Sequence, residues 1–348
     1  MTSVLLAGAG AAMADSDRRI EEFGPIPNPL GTPCEIEFDR DGYLWIEQIA
    51  ANSMGRFDVE SGEFREYPLP TPGAIPGGME LGPDGGIWFP EVIGNQIVRL
   101  DPATGGMREF PLPWAGALGN GGGGRYGASA SDDLTFGTDG AAYFTLIGLS
   151  AIGRLDIKTG EFSKIPIATG AVIAIIQPGP GDTIVAAETV RNQIVVLDLH
   201  TLTVREFPLP QPLSGPQGIT TGIDGAVWFT EALGQRLGRL DVETGEITEV
   251  DLIAKRGDQP LPITPGNPLP VPTTMKTAGD GKLYFTQGGL LFPSFGNKIG
   301  VYDIRTGQLE EITTPSPAST PCDLNTQKDD EVWVGLLVAN KVGRIQLG

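Results

Sequence analysis

The chain has 348 residues, with 43 Asp and Glu against 24 Lys and Arg, for a formal net charge of −19. That excess of negative charge argues against nucleic acid and anionic membrane as partners, since both demand clustered positive charge. Apolar residues fall in runs of three to five among 50 Gly and 30 Pro, the length and punctuation of short strands, so a helical architecture is not expected.

The first segment is a leader. Ser3 to Ala14 is uncharged but too short, and too interrupted by Gly8 and Gly10, to span a bilayer, so no membrane insertion is expected. It ends in Ala12-Met13-Ala14, which resembles a signal-peptidase site, yet no Lys or Arg precedes it. Residues 1 to 18 therefore read as a disordered leader or a degenerate secretory signal, and the compartment, cytoplasmic or secreted, stays open.

From residue 19 to 348 one unit recurs, so this stretch reads as a single domain. The unit is a short apolar strand, an Asp-Gly turn, an aromatic-rich strand, a third strand of the type Leu237 to Asp241, a Thr-Gly turn, and a fourth strand ending in Leu-Pro. The second-strand slot holds Trp45, Trp88, Tyr143, Val185, Trp228, Tyr284 and Trp333, which predicts an all-β, seven-bladed propeller with four-stranded blades. The seventh copy stops at Leu347 without a fourth strand; Arg19 to Ile26 matches the fourth strands Phe64 to Leu69 and Val204 to Leu209 and is expected to complete that blade. The innermost strands alternate. Ile36, Met79, Leu134, Ile176, Ile219, Met275 and Leu324 read as core, and Glu37, Glu80, Thr135, Gln177, Thr220, Lys276 and Asn325 as groups at the channel.

Chain direction puts every Asp-Gly and Thr-Gly turn on one face, a uniform floor. All long insertions fall on the other face: Pro113 to Ser131, Asp251 to Pro272, and Gln287 to Gly296. Length variation on one face of a rigid scaffold marks a binding face. The insertions hold the aromatics that the repeat does not explain, Trp114, Tyr126, Phe292 and Phe295, which read as pocket walls. Gly119 to Arg125 lacks the lysine and the following helix of a phosphate loop and reads as a lid, and Gln259 to Pro272 as a stiff rim.

The single histidine, His200, replaces a Thr-Gly turn on the floor, so no histidine base or metal ligand is expected at the mouth. Carboxylates collect near the channel: Glu35, Glu80, Asp132, Asp133 and Asp323, with Glu91, Glu188 and Glu231 at second-strand ends. Lys276 is the one cation of the polar ring, available to donate to a substrate oxygen or to neutralise Glu80 or Asp323. Cys34 and Cys322 occupy one slot in blades one and seven, neighbours once the ring closes; a disulfide across the closure is conceivable, and two free thiols, with strands beyond the roughly 7 Å limit, are the default expectation. The repeated Arg56, Arg99, Arg154, Arg239 and Arg344 read as structural partners of the repeated Asp or Glu. The expected site thus has Lys276, Glu80 and Asp133 as catalytic groups. Trp114, Tyr126, Met79, Asp132, Thr274, Met275, Gln287, Phe292 and Phe295 are its expected substrate contacts. The expected partner is an apolar small molecule; no cofactor and no dedicated metal site are expected.

The unit at Asp224 to Glu246, a Trp-bearing strand followed by Leu237 to Asp241 and a Thr-Gly-Glu turn, resembles the virginiamycin B lyase propellers over nearly the whole chain. The resemblance implies the seven-bladed fold and the opening of a depsipeptide ring by elimination, with a histidine base and Mg²⁺; no position here supplies that histidine. The chain also looks like fungal lyase-like proteins that act as hetero-Diels–Alderases, joining a tropolone quinone methide to a humulene-type sesquiterpene. A concerted cycloaddition needs an apolar pocket that orients two reactants and a donor that polarises the heterodiene oxygen, here Lys276 or a protonated carboxyl. The expected function is such a cyclisation. The alternatives are a lyase or lactonase that holds Mg²⁺ or Ca²⁺ in the carboxylate ring and acts on a cyclic ester, or a non-catalytic binding propeller.

Overall fold

Cross-strand register shows how the repeat becomes a ring. In every blade the second-strand slot pairs with the polar position of the innermost strand: Trp45 with Glu37, Trp88 with Glu80, Tyr143 with Thr135, Val185 with Gln177, Trp228 with Thr220, Tyr284 with Lys276 and Trp333 with Asn325. The neighbouring apolar positions, from Ile36 to Leu324, are all buried. The computed structural model describes residues 14–15, 18–114, 132–168, 170–256, 271–288 and 296–347. These form seven sheets, each built on four antiparallel strands that follow in chain order except for the outer strand of blade seven, as in blade one with Pro33–Phe38, Leu44–Gln48, Ser53–Phe57 and Phe64–Pro68. The apolar core lies between blades. Trp45 and Met54 of blade one, for example, pack with Ile87, Phe89 and Val98 of blade two.

The seventh blade takes its outer strand from the N-terminus, as the sequence predicts. Ile20–Phe23 pairs antiparallel with Lys341–Gln346, Ile20 opposite Ile345 and Phe23 opposite Val342. Phe23 stacks on Trp333 at 5.3 Å, and Lys341 Nζ donates to Glu22 Oε2 at 2.8 Å.

Residues before that strand contribute more than a leader would. Ala14–Asp15 adds a short parallel strand to the outer edge of blade six, opposite Glu310 and Glu311. Arg18 reaches Asp280 and the Tyr284 hydroxyl of the same blade. This compensates for a gap in the repeat. In blades two, three and five a third-strand arginine binds the turn aspartate: Arg99 to Asp84 at 2.6 Å, Arg154 to Asp139 at 2.7 Å and Arg239 to Asp224 at 2.7 Å. The same aspartates accept from Trp88, Tyr143 and Trp228, so each pair fixes an aromatic as well as a turn. Blade six carries Val301 in the arginine slot, and Arg18 supplies the guanidinium from outside the blade. Such pairs, about a quarter to a third exposed, contribute at most about 1 kcal/mol each. Arg56 departs from the pattern: it stacks on the Tyr43 ring at 3.5 Å.

The two cysteines are not free. Cys34 and Cys322 are disulfide-bonded, with their α-carbons 5.0 Å apart. The expectation of separated thiols fails because blades one and seven approach closely at this point. Gly335 of blade seven lies so near the Cys34 carbonyl that a Cβ there would stand 2.1 Å from the oxygen.

Candidate functional site

Four innermost strands begin with proline and then slip by one residue: Pro33, Pro216, Pro272 and Pro321 each pair with the last residue of the second strand, and pairing resumes at Ile36, Ile219, Met275 and Leu324. Two residues therefore oppose one, which is a β-bulge, a device that re-aims side chains and is common beside functional sites. The bulge residues are Cys34-Glu35, Gln217-Gly218, Thr273-Thr274 and Cys322-Asp323.

Six of these eight residues line a cavity of about 290 Å³ at the insertion-bearing end of the channel, and Gly218 and Asp323 line the space beneath it. Blade one gives Cys34, Glu35, Glu47 and Ile49, blade two Ile75 to Gly78 and Val92, and blade three Asp132 and Asp133. Ile175, Gln217, Thr273, Thr274 and Cys322 complete the wall from the other four blades. A narrower space continues inward, lined by Glu35, Asp133, Thr274, Met275, Gln177, Lys276 and Asp323. The mouth thus combines apolar walls with carboxyls brought together from three blades.

Burial, followed by the charges of Asp323, Asp133 and Glu47, holds the Glu35 carboxyl well above the usual carboxylate range. Burial also raises Glu47 well above that range, although the Glu35 N–H bonded to it works the other way. Burial pushes Asp132 up to about 6 and Asp133 up to about 7. A carboxyl that keeps its proton near neutrality is a hydrogen-bond donor, and one that titrates near 7 is suited to proton transfer. For Lys276, burial opposes the charge, but Asp323, Glu80, Asp133 and Glu35 outweigh it and keep the ammonium protonated. Its Nζ donates to Gln177 Oε1 at 2.7 Å, below the mouth.

Of the residues singled out in the sequence, Asp132, Asp133 and Thr274 line the mouth, and Met275 and Lys276 line the inner space. Met79 is buried between blades one and two. Glu80 sits in the polar ring, where burial raises its carboxyl and Lys276 opposes that rise. Gln287 lies inside blade six, its Nε2 donating to Glu311 Oε1 at 2.9 Å, away from the cavity. Trp114 meets the Phe162 ring edge-on at 6.0 Å and lies under the Lys164 ammonium, so it covers the outer strand of blade three and does not wall the mouth. Tyr126, Phe292 and Phe295, with the Gly119 to Arg125 lid and nearly all of the Gln259 to Pro272 rim, lie outside the described residues.

Glu91, Glu188 and Glu231 do not join the mouth carboxyls. They are buried within their blades: Glu91 accepts from Gln96, Glu188 accepts from Gln193, and Arg236 stands 3.9 Å from Glu231. His200 is on the floor, 2.8 Å from Asp182.

Glu47 is the functional candidate that the sequence reading passes over. Its slot holds Thr145, Thr230 and Thr286 in blades three, five and six. There the threonine hydroxyl accepts from the next innermost backbone, as from Asp132 N at 2.9 Å and Gly218 N at 2.9 Å. In blade one Glu47 Oε2 accepts the equivalent bond from Glu35 N at 3.1 Å and adds a carboxyl to the wall.

The Mg²⁺ that the family resemblance implies does not fit the side chains present. Among the described residues no three His, Cys, Asp or Glu side chains converge as a metal-binding group, and mouth carboxyls that retain protons are poor ligands for a hard cation.

The model of the virginiamycin B lyase family matches residues 9–119 and 126–348. The structure of virginiamycin B lyase from Staphylococcus aureus superposes with a TM-score of 0.79 at 27% identity, covering 95% of this chain and all of that one. A catalytically inactive histidine-to-alanine variant of the S. aureus enzyme with quinupristin aligns equally well, at TM-score 0.79 and 26% identity over 95% of this chain and all of that one. The virginiamycin B lyase of Bacillus licheniformis is 46% identical over a stretch of 46 residues, 13% of this chain and 15% of that protein.

Proposed function

The chain belongs to the virginiamycin B lyase family, and from that premise we propose that it is an enzyme acting on an apolar small molecule at the propeller mouth. The chemistry we assign is hydrogen-bond donation from a neutral carboxyl to a substrate oxygen, in place of histidine catalysis. The observation that carries this reading is the mouth cavity, where apolar walls surround carboxyls that keep their protons near neutrality.

The reaction that suits such a site is the hetero-Diels–Alder cycloaddition of a tropolone quinone methide with a humulene-type sesquiterpene. One C–C and one C–O bond form together, so no nucleophile is needed. The walls hold the two reactants in contact, and the donor draws electron density from the heterodiene oxygen while keeping its own proton. Incubating the protein with a quinone-methide precursor and humulene tests this: a single stereoisomer formed faster than the background supports it, and the uncatalysed product mixture at the background rate rejects it.

A second reading is favoured by one observation. Asp133 titrates near 7 in the wall, as the base of a C–O elimination would. Quinupristin, the ligand of the S. aureus variant, is the substrate to try, with and without EDTA. Ring opening of quinupristin would establish the lyase, and loss of that activity in EDTA would tie it to a metal.

A further inference from the structure

Gln217 lies in the bulge of blade five, is 5% exposed, and lines the mouth. Its Nε2 is buried without a hydrogen-bond partner among the described residues. An amide donor left in that state bears an uncompensated desolvation cost. Such a donor in a cavity wall is placed for an acceptor that arrives with a ligand.

A second donor, Glu35, lines the same mouth three blades further round the ring. Cys34-Glu35 and Cys322-Asp323 are equivalent bulge dipeptides of adjoining blades, and the disulfide holds them side by side. Glu35 and Asp323 line the same inner space, and burial followed by the Asp323 charge holds the Glu35 carboxyl well above the usual carboxylate range. A carboxyl held in that way keeps its proton near neutrality and is a hydrogen-bond donor. Asp133 of blade three and Glu47 of blade one face Glu35 and favour retention; Lys276 of blade six opposes it while bonded to Gln177. Glu37 and Glu80 add negative charge on the Asp323 side, and Asp132 adds it beside Glu47.

We propose that the Gln217 amide and the Glu35 carboxyl, which line the same mouth, form a two-donor site for a carbonyl-type oxygen. The mouth would then select apolar ketones, lactones or quinone methides over hydrocarbons of the same shape. This rests on the small-molecule reading above and names the feature by which the substrate is recognised.

The probes are acetophenone and α-methylstyrene, isosteres that differ in C=O against C=CH₂, titrated into the whole protein and followed by the side-chain amide resonances of ¹⁵N-labelled protein. The expected result at about pH 6 is a preference of about tenfold for the ketone, with the Gln217 amide shifted by the ketone alone. Gln217→Leu should reduce the preference to about threefold or less while leaving α-methylstyrene affinity unchanged. Because the Gln217 Nε2 has no partner to lose among the described residues, this variant should fold. In the unaltered protein the preference should also shrink when the pH is raised to about 9, because ionisation of Glu35 removes its donor. Equal binding of the two probes, or a preference that survives Gln217→Leu, overturns the inference alone. A preference that is lost in Gln217→Leu but is the same at both pH values overturns the part played by Glu35. Failure of both probes to bind overturns the small-molecule reading itself.

Discussion

The α-carbons of Cys34 and Cys322 stand 5.0 Å apart across a sequence separation of 288, and the residue after each, Glu35 or Asp323, lines the channel mouth. One covalent bond therefore closes the ring and sets the spacing of two carboxyls. Cross-linking so long a loop restricts the unfolded chain, an effect that typically stabilises by about 2–4 kcal/mol. Urea unfolding in the presence of reductant, or of the Cys34→Ala/Cys322→Ala double variant, should give a correspondingly lower stability. An unchanged midpoint would mean that the N-terminal strand alone carries the closure.

That strand is the second clasp. Ile20 is buried in the cluster that joins blades six and seven, and Asn340 Nδ2 donates to the Ile26 carbonyl at 3.0 Å. Ile20→Ala should cost about 2–5 kcal/mol, as expected of a large-to-small change in a packed core. Deleting residues 1 to 26 should do more: it removes the outer strand of blade seven and the Arg18 guanidinium of blade six, and exposes a sheet edge. Thermal unfolding followed by circular dichroism should show a lower and broader transition for the deletion than for Ile20→Ala. A deletion that melts like the intact chain would remove the strand from any role in closure.

Acidity gives a prediction with two opposing signs. Burial raises Asp132 to about 6 and Asp133, Glu91 and Glu231 to about 7, above the ordinary unfolded range. The folded state holds these protons more tightly, so their contribution is full below about pH 4 and is lost as pH rises through about 6 to 7. Asp84, Asp139 and Asp224 go the other way: burial works against the shift, but Arg99, Arg154 and Arg239 outweigh it and hold them below the ordinary value. Their contribution is present above about pH 4 and is lost as pH falls through their folded values. The melting temperature should therefore peak between about pH 4 and 6 and fall toward pH 8. A melting temperature that rises steadily from pH 5 to about pH 8 would contradict the buried, proton-holding state of the mouth carboxyls.

The blade count, the borrowed N-terminal strand and the polar ring from Glu37 to Asn325 were legible in the sequence because a repeat exposes equivalent positions to comparison. What the repeat does not encode is a slip of register. Alternation carried through Pro33 to Ile36 without the bulge keeps Cys34 apart from Cys322 and hides the convergence of Glu35 with Asp323. Trp114 misleads for a related reason: a residue outside the repeat looks free for ligand, whereas its partner Phe162 belongs to the next blade. Glu91, Glu188 and Glu231 were misplaced because a second-strand end can point into the blade as readily as toward the channel, and their Gln and Arg partners decide which. Glu47 could have been found by asking which blade breaks the threonine slot.

That slot supplies a last test. In Glu47→Thr the new hydroxyl should accept from Glu35 N, as Thr145 Oγ1 accepts from Asp132 and Asp133, so the bulge and the fold should persist. The variant removes a buried carboxyl whose charge, after burial and Asp323, helps raise Glu35. Near pH 8, where the intact protein bears the cost of ionising crowded carboxyls, the variant should be more stable by about 1 kcal/mol. Near pH 4 to 5 Glu47 is already neutral in the parent, and the difference should vanish. Urea unfolding at both pH values measures it. A loss of several kcal/mol at both would show that Glu47 holds the wall together through more than its bond to Glu35, and a gain of equal size at both would show that its charge is not the cause.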